Sequence, residues 1–132
     1  MAPEIVIRGA TPSDRSSLYV FGYVNDKPVD LLVDTGATKT IIRPDVLLFE
    51  KPTKRKGSKK LQTETGQEIP THGIMRVNLE IGSLVFRHEV TPADIKEEVI
   101  LGMNVIKRFG INLDLKKDVL RIDNERFRLK MQ

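Results

Sequence analysis

The stretch Leu31-Leu32-Val33-Asp34-Thr35-Gly36-Ala37-Thr38 decides the fold. An apolar strand runs into an acid, and a small glycine-containing turn follows at once. A carboxylate at the end of a buried strand is costly unless hydrogen bonds or a partner compensate it. Gly36 lets the backbone turn tightly toward the acid, so its amide can donate to the carboxylate. Thr35 adds a hydroxyl for a supporting bond. In isolation, the plainer reading of Asp-Thr-Gly is a strand-end Asp that caps a turn.

Outward from this stretch, short strand-like runs alternate with turn signals, the pattern of an all-β barrel or sandwich. Leu18 to Val24 is rich in aromatic and β-branched residues, Asn25-Asp26-Lys27-Pro28 is a turn by composition, and Val29 to Val33 returns, making a hairpin. Thr38 to Ile42 reads as a strand, and Pro44 to Leu48 as a short helical turn with Pro at its start. Leu61 to Thr63 and Gln67 to Ile69 flank the turn-prone Glu64-Thr65-Gly66, an exposed hairpin. Met75, Val77, Leu79 and Ile81 alternate with polar neighbours, so Ile74 to Ile81 is a strand with one buried face. Leu84 to Val90 follows as another strand, Thr91 to Glu98 is polar, and Val99-Ile100-Leu101 is a short apolar run ending at Gly102. Met103 to Phe109 is the best helix candidate, closed by Gly110. Ile111 to Leu115, Val119 to Asp123 and Arg126 to Met131 finish as strands.

The 132 residues, 39% apolar and 30% charged, match one domain, 1–132, without repeat or linker. The chain is too short for two lobes of this size. It has no Cys, which excludes disulfides, thiolate nucleophiles and Cys-based metal sites. Its two His, His72 and His88, lack zinc-helix spacing and read as packing or surface residues. No apolar run approaches a membrane span, and the start (MAPEIVIRGA) lacks a secretory pattern. Net charge is +4, but residues 51–60 carry Lys51, Lys54, Arg55, Lys56, Lys59 and Lys60 and no acid, a segment charge of +6 that leaves −2 for the rest. Such a run can meet phosphate backbones. Pro52, Gly57, Ser58 and the lack of interleaved aromatics favour a solvated loop over a nucleic-acid site.

Leu31 to Thr38 resembles the active-site signature of the aspartic proteases, in the form carried by retroviral and retrotransposon members. Val99-Ile100-Leu101-Gly102-Met103-Asn104 resembles the second signature of that branch, apolar-apolar-Gly-x-Asn/Asp. The hairpin before the first signature, the flap-like hairpin between the two and the helix after the second stand in family order, over roughly residues 18–115. The chain therefore resembles the retropepsin-like aspartic proteases of retroviruses and LTR retrotransposons, to which the protease domain of DNA-damage-inducible proteins is related. The resemblance implies a closed β-barrel with one short C-terminal helix, working as a two-fold homodimer. It implies no cofactor and no metal. Its implied setting is intracellular, in the cytoplasm or a virus-like particle.

The same resemblance assigns catalysis to Asp34, Thr35 and Gly36. It places Leu32, Ala37, Thr38, Ile41 and Ile100 along the substrate cleft, with Thr65, Gly66 and Gln67 as the tip of a flap spanning about residues 60–73. Leu101, Gly102 and Asn104 would support the active-site loop. For Leu32, Ile41 and Ile100, plain core packing is an equal alternative. Lys39 and Met103 stand where retroviral members often carry an acid and a base. Peptide hydrolysis of this kind uses two carboxylates, and the chain has one Asp-Thr-Gly; the second would be Asp34 of a two-fold partner. Two such acids share a proton and titrate as a pair. The expected function is an aspartic endopeptidase that processes a polyprotein, and the alternative is a domesticated, non-catalytic domain that binds peptides or dimerises.

Overall fold

The computed structural model describes residues 5–7, 17–47, 61–63 and 66–131. The basic segment 51–60, and Glu64 and Thr65 of the expected flap, lie outside the described residues. The first hairpin joins β2 (Leu18–Val24) to β3 (Lys27–Val33) through Asn25 and Asp26. Both turn residues have positive φ, 47° and 70°. That two-residue turn matches the right-handed twist of paired strands, and Asn and Asp tolerate it. The turn is thus tighter than composition implies, and Lys27 and Pro28 already belong to β3.

Five further strands and two short helices complete the part that carries the signatures. They are β4 (Ile41–Ile42), α1 (Pro44–Leu47), β7 (Met75–Ile81), β8 (Leu84–Pro92), β9 (Val99–Leu101), α2 (Met103–Arg108) and β13 (Lys130–Met131). Strands pair in the order β13-β2-β3-β9-β4-β8-β7, and β7 returns to β2 through Tyr23 opposite Glu80 and Val24 opposite Leu79. Six strands, β2 to β7 in this order, thereby close into a barrel, with β13 attached to β2 at Leu18 and Tyr19. The expectation of a closed barrel with a short C-terminal helix holds.

Alternation along these strands divides their side chains between two apolar clusters. Leu31 and Val33 of β3, Ile42 of β4, and Val99 and Leu101 of β9 join the main core with Val77, Leu79 and Ile81 of β7. Leu32, Ile41 and Ile100, the intervening residues, join a second cluster with Ala37, Leu61, Ala93 and Ile95. Two smaller strands, β5 (Leu61–Thr63) and β6 (Glu68–Ile69), form the expected flap hairpin, with Leu61 opposite Ile69. Its base is less exposed than its composition suggests, because Leu61 is wholly buried in the second cluster.

Several boundaries differ from the sequence reading for identifiable reasons. Thr38 and Lys39 are not strand; the chain bends there because the Ala37 carbonyl accepts the Met103 N–H at 2.7 Å. The polar stretch after Val90 begins as strand, since β8 runs on to Pro92 to pair in parallel with β4. The last expected strand is broken at Leu129, which is buried and donates its N–H to the Asp118 carbonyl at 2.8 Å. Before the break, β10 (Asn112–Asp114), β11 (Val119–Ile122) and β12 (Glu125–Arg128) form a separate three-stranded sheet. The N-terminal strand β1 (Ile5–Ile7) pairs in parallel with β5.

Helix α2 ends where Gly110 was expected to end it. Gly110 has φ 59°, its N–H reaches the Lys107 carbonyl at 3.3 Å, and the Ile111 N–H reaches Ile106 at 3.0 Å. This is the paired closure that a residue with positive φ permits. At the other end Gly102 is pressed against the chain at Lys39: a Cβ there would lie 2.1 Å from the Lys39 carbonyl oxygen. Gly102→Ala is therefore expected to destabilise the fold by about 1–3 kcal/mol through overpacking. Leu79→Ala, which empties a fully buried position of the main core, should cost about 2–5 kcal/mol. Urea unfolding measures both, and an unchanged midpoint for Gly102→Ala would contradict the tight contact at Lys39.

Candidate active site

The two signatures, more than sixty positions apart in the chain, lie side by side. Strand β3 runs parallel to β9, with Leu31 opposite Val99, Leu32 opposite Ile100 and Val33 opposite Leu101. One step further, the Asp34 N–H donates to the Leu101 carbonyl at 3.1 Å. Asp34 thus sits where the parallel pair ends, and it is 3% exposed. The Gly36 N–H donates to Asp34 Oδ1 at 2.9 Å, and the Ala37 N–H donates to the Asp34 carbonyl at 3.1 Å. The turn after the acid therefore closes on the acid itself.

The first turn of α2 holds the other end of this loop. Backbone N–H groups at a helix start lack intrahelical partners. Here the Met103 N–H takes the Ala37 carbonyl, and the Gly102 N–H donates to Thr40 Oγ1 at 3.1 Å. Asn104 bridges outward from Thr40: its side-chain amide is 2.8 Å from Thr40 Oγ1 and 3.0 Å from His88 Nε2. Arg108 Nη1 lies 2.9 Å from His88 Nδ1 and donates to the Arg87 carbonyl at 3.1 Å. Thr40 is fully buried. Thr40, His88 and Arg108 were not among the site residues expected from sequence. His88 could have been flagged, because it shares a strand face with Leu84, Phe86 and Val90, where alternation calls for an apolar side chain.

The other expected site residues fall into three groups. Thr35 and Thr38 are exposed and Gly36 is half-buried beside Asp34. Leu32, Ala37, Ile41 and Ile100 are brought together in the second cluster, each with 1% exposure or less. Gly66 and Gln67 are exposed at the far end of the flap hairpin, and Thr65 lies outside the described residues. Leu101 is buried between Val33 and Asp34 on one side and the main core. Tyr19 packs on the second cluster; burial, then the nearby Glu97, pushes its phenol up, so it stays un-ionised. His72 is exposed and lies 3.3 Å from Asp94. Among the described residues, no group of three or more His, Asp or Glu could hold a metal, and no helix is long and apolar enough to cross a membrane.

A family model described as "gag-polyprotein putative aspartyl protease" matches residues 20–108. DNA damage-inducible protein 1 of Candida glabrata is 30% identical over 111 residues, covering 81% of this chain and 26% of the relative. The protein of the same name from Neurospora crassa is 31% identical over 113 residues, covering 82% and 25%. The chain thus spans about a quarter of the length of these curated relatives. Among solved structures, the retroviral protease-like domain of Ddi1 from Leishmania major superposes with a TM-score of 0.67 at 22% identity, covering 89% of this chain and 94% of that one. The EIAV protease, solved with the inhibitor HBY-793, gives 0.62 at 21% identity, covering 80% and 98%. These two likenesses concern the fold. With the family model spanning both signatures and the barrel between them, the chain belongs to the retropepsin-like aspartic protease family.

Proposed function

We propose that the chain is an aspartic endopeptidase that acts as a homodimer, with Asp34 of each copy forming the catalytic pair. The observation that carries this reading is the hold on Asp34. It is nearly buried, oriented by the Gly36 N–H, and braced from behind by β9 and α2. One such acid is half of a hydrolytic pair. A two-fold partner supplies the second by symmetry.

In the paired state the two carboxylates share one proton, because like charges a few Å apart resist double ionisation. The ionised member takes a proton from a water held between them. That water attacks the scissile carbonyl carbon, while the protonated member donates a hydrogen bond to the carbonyl oxygen. Collapse of the tetrahedral species breaks the C–N bond, and the leaving amine takes a proton from the pair. Thr35, exposed in the single chain, would hydrogen-bond across the dimer beneath the two acids. Gly36 meets the substrate backbone.

Leu32, Ile41 and Ile100, packed in one cluster with Ala37, Leu61 and Ile69, offer an apolar bed for peptide side chains beside the active-site loop. Access to it requires the flap hairpin to lift. Gly66 and Gln67, with Thr65, would close over a bound peptide. The polyprotein named by the family model is the substrate class this reading favours.

Asp34→Asn should lower peptide cleavage by at least about 10²–10⁴-fold. Its fold and dimerisation, followed by thermal unfolding and sedimentation, should persist, since Asn can accept the same Gly36 bond. Unchanged cleavage by a folded Asp34→Asn dimer would contradict the mechanism. Peptide binding without turnover by the unaltered chain would instead indicate a binding domain.

A further inference from the structure

The sheet of β10, β11 and β12 has two chemically different faces. Residues directly opposite one another on antiparallel strands share a face. The register therefore puts Leu113, Leu120, Ile122, Glu125 and Phe127 on one side. Leu120 and Ile122 belong to the main core, and Leu113 and Phe127 pack on it, so this side is covered. The other side carries Asn112, Asp114, Val119, Arg121, Arg126 and Arg128, and all three arginines are exposed.

Arg121 stands directly opposite Arg126, and Arg128 lies two residues further along β12. Opposite residues of an antiparallel pair bring their Cβ atoms to about 5 Å, and like charges there are unfavourable. Nearby acid does not relieve them. None of the three arginines forms an ion pair with a described carboxylate. Glu125 belongs to the covered side and accepts from the Ser83 N–H, at 3.2 Å, and from its hydroxyl. Asp114 shares the arginine face, but its Oδ1 accepts the Lys117 N–H at 3.2 Å. Asp118 and Asp123 lie in the flanking turns, where the exposed Lys116 and Lys117 add positive charge beside Arg128. Protection of a sheet edge accounts for charges on β12. It does not account for Arg121, which lies on the central strand.

We propose that this face binds the phosphate backbone of a single nucleic-acid strand through Arg121, Arg126 and Arg128. A guanidinium presents a planar fork of donors that fits two phosphate oxygens. Arg126 and Arg128, two residues apart on one strand, are about 7 Å apart along it, a step comparable with that between successive phosphates of an extended strand. A polyanion with that interval engages all three arginines at once and offsets the repulsion between Arg121 and Arg126. The one aromatic residue of the sheet, Phe127, is on the covered side, so nothing on the arginine face stacks on a base. Binding is therefore indifferent to base sequence. Val119, half-buried, is the face's one apolar residue, which offers little to the acyl region of a membrane. The face is independent of Asp34 and of proteolysis.

The test is fluorescence anisotropy of a labelled oligouridylate with the full chain, over a salt series of about 50–200 mM. The unaltered chain should bind, with log affinity falling linearly in log salt, and should bind oligoadenylate equally well. The triple variant Arg121→Gln, Arg126→Gln, Arg128→Gln should lose about 2 from that slope, because each neutralised phosphate of a single strand contributes about 0.7. Arg126→Gln alone should lose about 0.7, which keeps the result readable if the triple variant folds poorly. Lys54→Gln, Arg55→Gln, Lys56→Gln removes the same charge from the basic segment and should keep the slope. Absence of binding at the lowest salt, or an unchanged slope in both arginine variants, would overturn the proposal. So would a slope lost in the segment variant and kept in the arginine variants. Tighter binding to phosphatidylserine vesicles or to oligoglutamate than to oligouridylate, lost in the triple variant, would overturn the choice of a nucleic-acid strand.

Discussion

The structure depends on the parallel pairing of β3 with β9. Parallel strands cannot be joined by a tight turn, so the chain must travel through β4, the flap hairpin, β7 and β8 before β9 can return beside β3. That excursion builds the barrel. The pairing also puts Gly102 and α2 directly behind the loop that follows Asp34, at a separation that excludes a Cβ. Without it, Asp34 would be a strand-end acid on a hairpin, with its loop unsupported. With it, orphan N–H groups of a short helix become anchors for the loop's carbonyl and hydroxyl groups.

The same pairing separates the two apolar clusters. Strand alternation sends neighbouring residues of β3, β4 and β9 to opposite faces, so one face closes the barrel and the other meets the flap hairpin. A shift of one residue in the β3–β9 register would turn one of the two strands over and carry its residue of the second cluster, Leu32 or Ile100, into the main core. Register is therefore strongly constrained, and the position of Asp34 with it. Leu61, from a hairpin whose described residues share no ladder with the barrel strands, is buried against this second apolar face.

Local chemistry was legible in the sequence where a residue's own backbone or its near neighbours decide the outcome. Asp34-Thr35-Gly36, the Asn25-Asp26 turn, the alternating β7 and the Gly110 helix stop are all of this kind. Partners distant in sequence were not legible. Nothing in Leu129 announces that the last strand breaks there, because its burial depends on the core already being assembled. The short extent of β4 goes with the single bond from the Met103 N–H to the Ala37 carbonyl, which sequence patterning cannot register. His88 lies between these cases. Its inward position could be read from Leu84, Phe86 and Val90, but its contacts with Arg108 and Asn104 come from another element.

One site made from two copies distinguishes this account from any in which a single chain acts alone. The direct measurement holds the unaltered chain at constant concentration and adds folded Asp34→Asn chain, allowing subunits to exchange before cleavage is assayed. Mixed dimers carry one competent acid each and should be inactive. Activity should then fall as the variant is added, to about half when the two are equal and pairing is random. Activity that stays constant across the series would contradict a shared Asp34 pair.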